Sequence, residues 1–188
     1  ERRCALETSE EAIVSLETLT AAIRDIPDFP KPGIMFKDIS PILQDGALFA
    51  EVIDIIGGRY ENQQIDSIVV IDARGFIFGS ALAYKLGCGI SLVRKQGKLP
   101  WKTHSVSYDL EYGSAAVEIH VDAVSDGDRV LIVDDLLATG GTAKAGVDLI
   151  EKIGACIIAL EFVIELSFLN GRDKLNDYTV NSLIAVRD

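Results

Sequence analysis

The chain has 188 residues, 48% hydrophobic and 25% charged, with a formal net charge of −11. This length suits one core of ordinary size, and the composition excludes a disordered chain. The acidic excess excludes the basic footprint expected of a nucleic-acid binder or an anionic membrane surface, and no apolar run approaches the roughly 20 residues that span a bilayer. The N-terminal "ERRCALETSEEA" lacks the apolar centre of a signal peptide. Cys4, Cys88 and Cys156 lie far apart without CxxC spacing. Cys88 and Cys156, set among apolar residues, read as small buried hydrophobes, and a reducing, cytoplasmic compartment is expected. His104 and His120 share no zinc-site spacing with a cysteine.

In chain order, Thr8 and Glu11 suit a capping box, and Leu16, Leu19, Ile23 and Ile26 recur at helical spacing, so Ser9 to Arg24 is expected to be an amphipathic helix. The prolines of "IPDFPKPGIMF" end it. Asp45 is placed to cap a second helix, with Leu48, Val52, Ile55 and Ile56 on one face. Ile65 to Ile71 reads as a buried strand, Gly75 to Leu86 as a helix closed by Gly87, and Gly89 to Arg94 as another strand. The period then changes to two. Val106, Tyr108 and Leu110 alternate with polar residues, as do Val117, Ile119 and Val121 with Glu118 and His120, which predicts a β-hairpin with one wet face. "RVLIVD" is the next buried strand, ending at Asp134 and Asp135. Ala143, Gly146, Val147, Ile150 and Ile153 mark a helix face stopped by Gly154. Strands follow in "CIIALEFVI" and within "YTVNSLIAV". Alternation of strand and helix predicts an α/β fold: an open, mostly parallel sheet with helices on both faces, in a single domain spanning 1–188.

Two segments carry candidate chemistry. In such sheets ligands bind beyond the carboxyl ends of the strands. There, Asp134 and Asp135 precede Ala138-Thr139-Gly140-Gly141-Thr142, which enters a helix. Glycine lets backbone N–H groups approach an anion, and a helix N-terminus favours negative charge, so the loop suits a monophosphate. The aspartates would accept hydrogen bonds from vicinal sugar hydroxyls or hold water around a divalent metal. Together these point to a phosphorylated ribose. A tight turn with a helix cap is the plainer alternative, but it does not account for two adjacent aspartates after four apolar residues. Neither a Walker A loop nor a dinucleotide-binding glycine fingerprint is present. The second segment, "RKQGKLPWK", holds four positive charges and no negative one. Alone it would be read as a solvated loop; on an acidic chain it suggests a local anion site.

"VLIVDDLLATGGT" resembles the phosphoribosyl pyrophosphate motif of type I phosphoribosyltransferases. With "IPDFPKPGIMFKDISP", "DARGF", "RKQGKLP" and "YDLEYG" in the same order, nearly the whole chain resembles the adenine phosphoribosyltransferase family. The resemblance implies that family's fold, with a β-hairpin flexible loop and an N-terminal hood of about residues 1–40. It also implies adenine and phosphoribosyl pyrophosphate as substrates, AMP and pyrophosphate as products, Mg²⁺ held mainly by ligand and water, and a homodimer. Asp134, Asp135, Ala138, Thr139, Gly140, Gly141 and Thr142 would then bind ribose and phosphate. Asp72, Ala73, Arg74, Lys95 and Lys98 would face pyrophosphate, with Arg74 alternatively pairing with a carboxylate. Tyr112, grouped with them, would contact the sugar phosphate. The Asp72–Ala73 peptide is expected to be cis, as in relatives that share the motif. Glu111 would manage the proton on the base, because Ala138 stands where enzymes for 6-oxopurines carry an aspartate. Adenine would meet backbone groups near Met35, with Phe36 and Leu136 on its faces; Lys37 stands where many relatives have arginine. The rival readings are a transferase for another base and a non-catalytic regulator that binds RNA or DNA.

Overall fold

The computed structural model describes residues 16–109 and 114–187. The capping box at Thr8 and Glu11, Cys4, and the hairpin residues Glu111 and Tyr112 lie outside this range. Two compact units are distinguished, Glu1–Glu51 and Val52–Asp188.

In the first unit, α1 (Leu16–Ala22) is the described part of the expected N-terminal helix and buries Leu19. Arg24, assigned to its end, instead opens β1 (Arg24–Ile26), antiparallel to β2 (Phe36–Asp38). Between them the proline-rich segment turns twice, with Phe29–Pro30 cis and Gly33 at φ +85°. Phe29 meets Phe36 edge to face at 5.1 Å. A short helix absent from the sequence reading, α2 (Ser40–Gln44), has Pro41 in its first turn, where the missing N–H costs nothing. Asp45 caps α3 (Gly46–Gly58) as expected: its Oδ1 accepts the N–H groups of Ala47 and Leu48 at 2.9 and 3.2 Å.

The second unit is built on a seven-stranded sheet in the order β5-β6-β4-β3-β7-β8-β9. Its strands are β3 (Ser67–Ile71), β4 (Gly89–Lys95), β5 (Thr103–Asp109), β6 (Ser114–His120), β7 (Arg129–Leu137), β8 (Cys156–Leu166) and β9 (Val180–Val186). The pairs β4·β3, β3·β7, β7·β8 and β8·β9 are parallel; β5 and β6 form the antiparallel hairpin and join β4. All five residues of β3 are buried, as a central parallel strand covered on both faces requires.

The cover is α4 (Gly75–Leu86) on one face and α5 (Gly141–Ile153) on the other. A Cβ on Gly79 of α4 would collide with Val70, so that helix lies directly on β3. Gly146 of α5 looks onto Ile71 instead. On the α5 face, Val69, Ile71, Ile132, Val147, Ile150 and Phe162 form one core. Each such side chain, fully buried, contributes about 1.5–3 kcal/mol. Both helices stop where expected, at Gly87 (φ +69°) and Gly154 (φ +96°), whose left-handed conformation closes the last turn.

Three expectations are corrected. Strand β7 does not end at the aspartates but continues through them to Leu137, paired with β8 as far as Glu165. Cys156 is exposed and Cys88 only half-buried, because each sits at a strand's entry edge rather than in its middle. Glu118, placed on the hairpin's wet face, is 5% exposed: the basic segment before β5 folds over it.

Candidate active site

Parallel strands β4, β3 and β7 are neighbours, so their carboxyl ends share one rim. This brings together Asp72–Arg74 after β3, Lys95–Lys98 at and after the end of β4, and Asp134–Thr142 on and after β7. Met35, Phe36 and Lys37 belong to the first unit, where Lys37 Nζ bonds Asp25 at 2.6 Å and Met35 is exposed.

Between β7 and α5 the backbone of Ala138–Thr142 encloses a cleft of about 80 Å³, lined also by Asp134, Leu136 and Ala143. Gly140, at φ +75°, caps α5. Its carbonyl accepts the Lys144 N–H at 2.9 Å, as an N-cap carbonyl does, and the N-terminus of the helix favours an anion. Thr142 Oγ1 and Tyr108 Oη are 3.1 Å apart, joining the hairpin to this loop.

The loop rests on a residue that the sequence reading missed. A Cβ on Gly140 would lie closer than 3.0 Å to the Gly171 carbonyl, and a Cβ on Gly171 equally close to the Ala138 carbonyl. Two backbones therefore touch with no side chain between them. Gly171 opens the short 3₁₀ turn Gly171–Leu175 after β8. Next to it, the Arg172 guanidinium holds Glu165 through two bonds of 2.6 and 2.7 Å, and donates to the Val180 carbonyl at 2.6 Å. The hydrogen bonds from Arg172, against some burial, keep the Glu165 carboxyl below the usual range. No local pattern could have revealed this support, since "NGR" reads as an ordinary turn.

Asp135 is buried and pairs with Arg74 Nε at 2.7 Å. Arg74 thus makes the carboxylate pairing that is one of its two expected roles. Asp134 Oδ1 accepts the Asp135 N–H at 2.8 Å, and the residue lines the cleft. Burial, then the Asp135 charge, pushes the Asp134 carboxyl well up; burial also raises Asp135, against the pull of Arg74. A raised carboxyl binds its proton more tightly folded than unfolded. Its contribution to stability is thus complete below the ordinary aspartate range and lost as pH rises through the raised value. We expect the ligand-free protein to lose stability as pH climbs through that range, and Asp134→Asn to flatten the slope. Urea midpoints at several pH values check this; an unchanged slope in the variant would refute it.

The Asp72–Ala73 peptide is cis, as expected from the motif. Asp72 donates its N–H to the Val93 carbonyl at 3.0 Å and accepts Arg94 Nε at 3.2 Å. Lys95 and Lys98 are exposed, and neither has an acidic partner among the described residues.

The chain matches the phosphoribosyl transferase domain model over residues 38–184. The chain is 53% identical over 169 residues to the adenine phosphoribosyltransferase of Nitrosococcus oceani, covering 90% of this chain and 99% of that one. It is 55% identical over 168 residues to that of Chloroflexus aurantiacus, covering 89% and 97%. The chain belongs to the adenine phosphoribosyltransferase family. A crystal structure of an adenine phosphoribosyltransferase from Thermoanaerobacter pseudethanolicus has a TM-score of 0.88 at 50% identity, over 92% of this chain and all of that one. The Saccharomyces cerevisiae adenine phosphoribosyltransferase, solved with adenine and an imino-altritol bisphosphate, gives 0.85 at 42% identity, over 89% and 97%. No helix among the described residues is long and apolar enough to cross a membrane.

Proposed function

We propose that this protein is a purine salvage enzyme that transfers the 5-phosphoribosyl group from phosphoribosyl pyrophosphate to adenine, giving AMP and pyrophosphate. The observation that carries the reading is identity above 50% to adenine phosphoribosyltransferases over about nine-tenths of the chain, in a sheet whose rim gathers the phosphate loop, the aspartate pair and the basic loop. The loop Ala138–Thr142 binds the 5′-phosphate through backbone N–H groups and the Thr139 and Thr142 hydroxyls. Asp134 and Asp135 accept the ribose hydroxyls. Lys95 and Lys98 face the pyrophosphate with Asp72, Ala73 and Arg74, and Tyr112 contacts the sugar phosphate. As C1 loses pyrophosphate the ribose gains oxocarbenium character, and cations aimed at the leaving group lower the barrier. For the base, the family resemblance assigns edge recognition to the backbone at Met35 and face contacts to Phe36 and Leu136, and it puts Lys37 where many relatives carry arginine. Glu111 manages the proton of the attacking base.

No cluster of three metal-ligating side chains occurs among the described residues, and the donors at the rim suit Mg²⁺ carried on phosphate oxygens and water. When bound, the ion would neutralise charge on the pyrophosphate, and Asp134 and Asp135 would hold its water. A homodimer of this single-domain enzyme, in the cytoplasm, completes the reading. Support for a dimer comes from α4, where Ile77 and Tyr84 are exposed. Ile90 and Leu92 pair in register with Ile68 and Val70, and so share the sheet face under α4. They too are exposed, which leaves one apolar surface in need of a cover.

With Mg²⁺ and phosphoribosyl pyrophosphate, adenine is expected to give AMP, while hypoxanthine and guanine give little product. Equal turnover of adenine and hypoxanthine would overturn the substrate assignment. Ala138, in place of an aspartate, and the glutamate of "LEYG" favour adenine over a 6-oxopurine.

A further inference from the structure

Glu118 stands in the middle of β6, opposite Arg94 of β4 and Ser105 of β5. Its side chain is spent on the neighbouring loop. One oxygen, Oε1, accepts the N–H groups of both Lys98 and Leu99, at 3.0 and 2.9 Å. The other, Oε2, accepts the Thr103 hydroxyl at 3.2 Å. The carboxylate thus grips the basic loop at its turn and at its exit into β5. Entry is fixed separately: the Gln96 N–H donates to the Ala116 carbonyl at 3.0 Å, and Arg94 reaches the Lys98 carbonyl at 3.2 Å. A carboxylate that accepts two backbone N–H groups holds them by charge-assisted bonds, about twice as strong as neutral ones. Burial works to raise the Glu118 carboxyl, but the bonds from Leu99, Lys98 and Thr103 together outweigh it and leave the carboxyl below the usual range. It therefore stays ionised, and grips, throughout the neutral range.

We propose that Glu118 is a positioning residue for pyrophosphate: it touches no substrate, but sets the backbone from which Lys98, and through the same turn Lys95, present their ammonium groups. This rests on the proposed role of the basic loop. Lysine side chains carry much rotamer freedom, so a loop whose backbone also moved would deliver its charge poorly. Tying that backbone to the sheet removes one source of disorder. The inference separates the two halves of the substrate site. The 5′-phosphate loop rests on Gly171, and the basic loop is gripped by Glu118; the described link between the two is the Tyr108–Thr142 bond of the hairpin.

The test compares wild type with Glu118→Ala, Glu118→Asp, Glu118→Gln, Lys95→Ala and Lys98→Ala, measuring calorimetric affinity for inorganic pyrophosphate with Mg²⁺ and, separately, for AMP. Glu118→Ala is expected to weaken pyrophosphate by about 10-fold or more, the loss that follows removal of charged hydrogen bonds, and to raise the KM for phosphoribosyl pyrophosphate. AMP affinity should stay within about twofold, because no interaction of the phosphate loop is removed. Glu118→Gln keeps a carbonyl oxygen for both N–H groups and should restore most of the affinity. Glu118→Asp, one methylene short, should not, and it serves as the disruptive variant if the alanine protein fails to fold. Hydrogen exchange should speed up at the Lys98 and Leu99 amides in the aspartate variant and not in the glutamine one. Loss of pyrophosphate affinity in Lys98→Ala without loss in Glu118→Ala or Glu118→Asp would overturn the proposal. So would parallel losses of AMP and pyrophosphate, which would mark Glu118 as merely structural. Unchanged pyrophosphate affinity in both lysine variants would instead overturn the reading of the basic loop, and this inference with it.

Discussion

Replacing Gly171 with alanine is expected to lower affinity for AMP by about 10²-fold, the effect of displacing a binding element by roughly an ångström. The new Cβ would sit closer than 3.0 Å to the Ala138 carbonyl and 3.1 Å from both the Gly140 nitrogen and Leu137 Cδ1. Two of these three atoms are backbone of the phosphate loop, so relief requires the loop itself to move. Overpacking of this kind costs about 1–3 kcal/mol of stability, which leaves a folded protein in which the defect can be measured. Gly140→Val meets the same contact from the other side, with φ +75° as a further penalty. Its side chain would strike Gly171, not only the phosphate space. Gly58→Ala, with open space around it, is the matched control. Calorimetric titration of AMP decides the matter: a Gly171→Ala protein that binds AMP like the wild type would show that the two backbones do not depend on each other.

Glu111→Gln is expected to slow turnover by about 10²–10⁴-fold, the usual loss when an acid/base group is removed, while leaving binding of phosphoribosyl pyrophosphate unchanged. Glutamine matches glutamate in size and can still accept a hydrogen bond, but it cannot take up a proton. If Glu111 holds the proton of the attacking base, the deficit must appear in kcat and not in substrate affinity. Pre-steady-state measurement of AMP formation with saturating substrates isolates the chemical step. A chemical rate near the wild-type value would remove Glu111 from the mechanism. Ordinary binding with abolished chemistry would agree with the hairpin residue acting only on the base.

Elements with strong local signals were legible in the sequence. Gly75–Leu86 and its stop at Gly87, the cap at Asp45 and the Gly154 stop all follow from periodicity and from residues that favour one backbone conformation. The loop Ala138–Thr142 between β7 and α5 was legible for the same reason, since its glycines mark a turn into a helix. What escaped depends on partners far away in sequence. Strand β7 carries Asp134 and Asp135 onward because Arg74 supplies a cation and β8 supplies backbone partners. Burial of Glu118 depends on a loop that folds over it. The importance of Gly171 depends on a loop thirty-odd residues earlier meeting it. Alternation alone assigned Glu118 to the solvent face, since a period-two pattern records which residues share a face and not what covers it.

The contact between Gly140 and Gly171 also bears on the order in which the protein acquires its function as it is synthesised. A nascent chain that has emerged as far as α5 contains every residue of the phosphate loop, but the surface on which that loop rests is still to come. Only after β8 has added to the sheet and the following turn has been pinned by Arg172 to Glu165 can the loop settle into its final shape. On the proposed reading of this loop, ligand affinity appears only once β8 and the turn that follows it are in place.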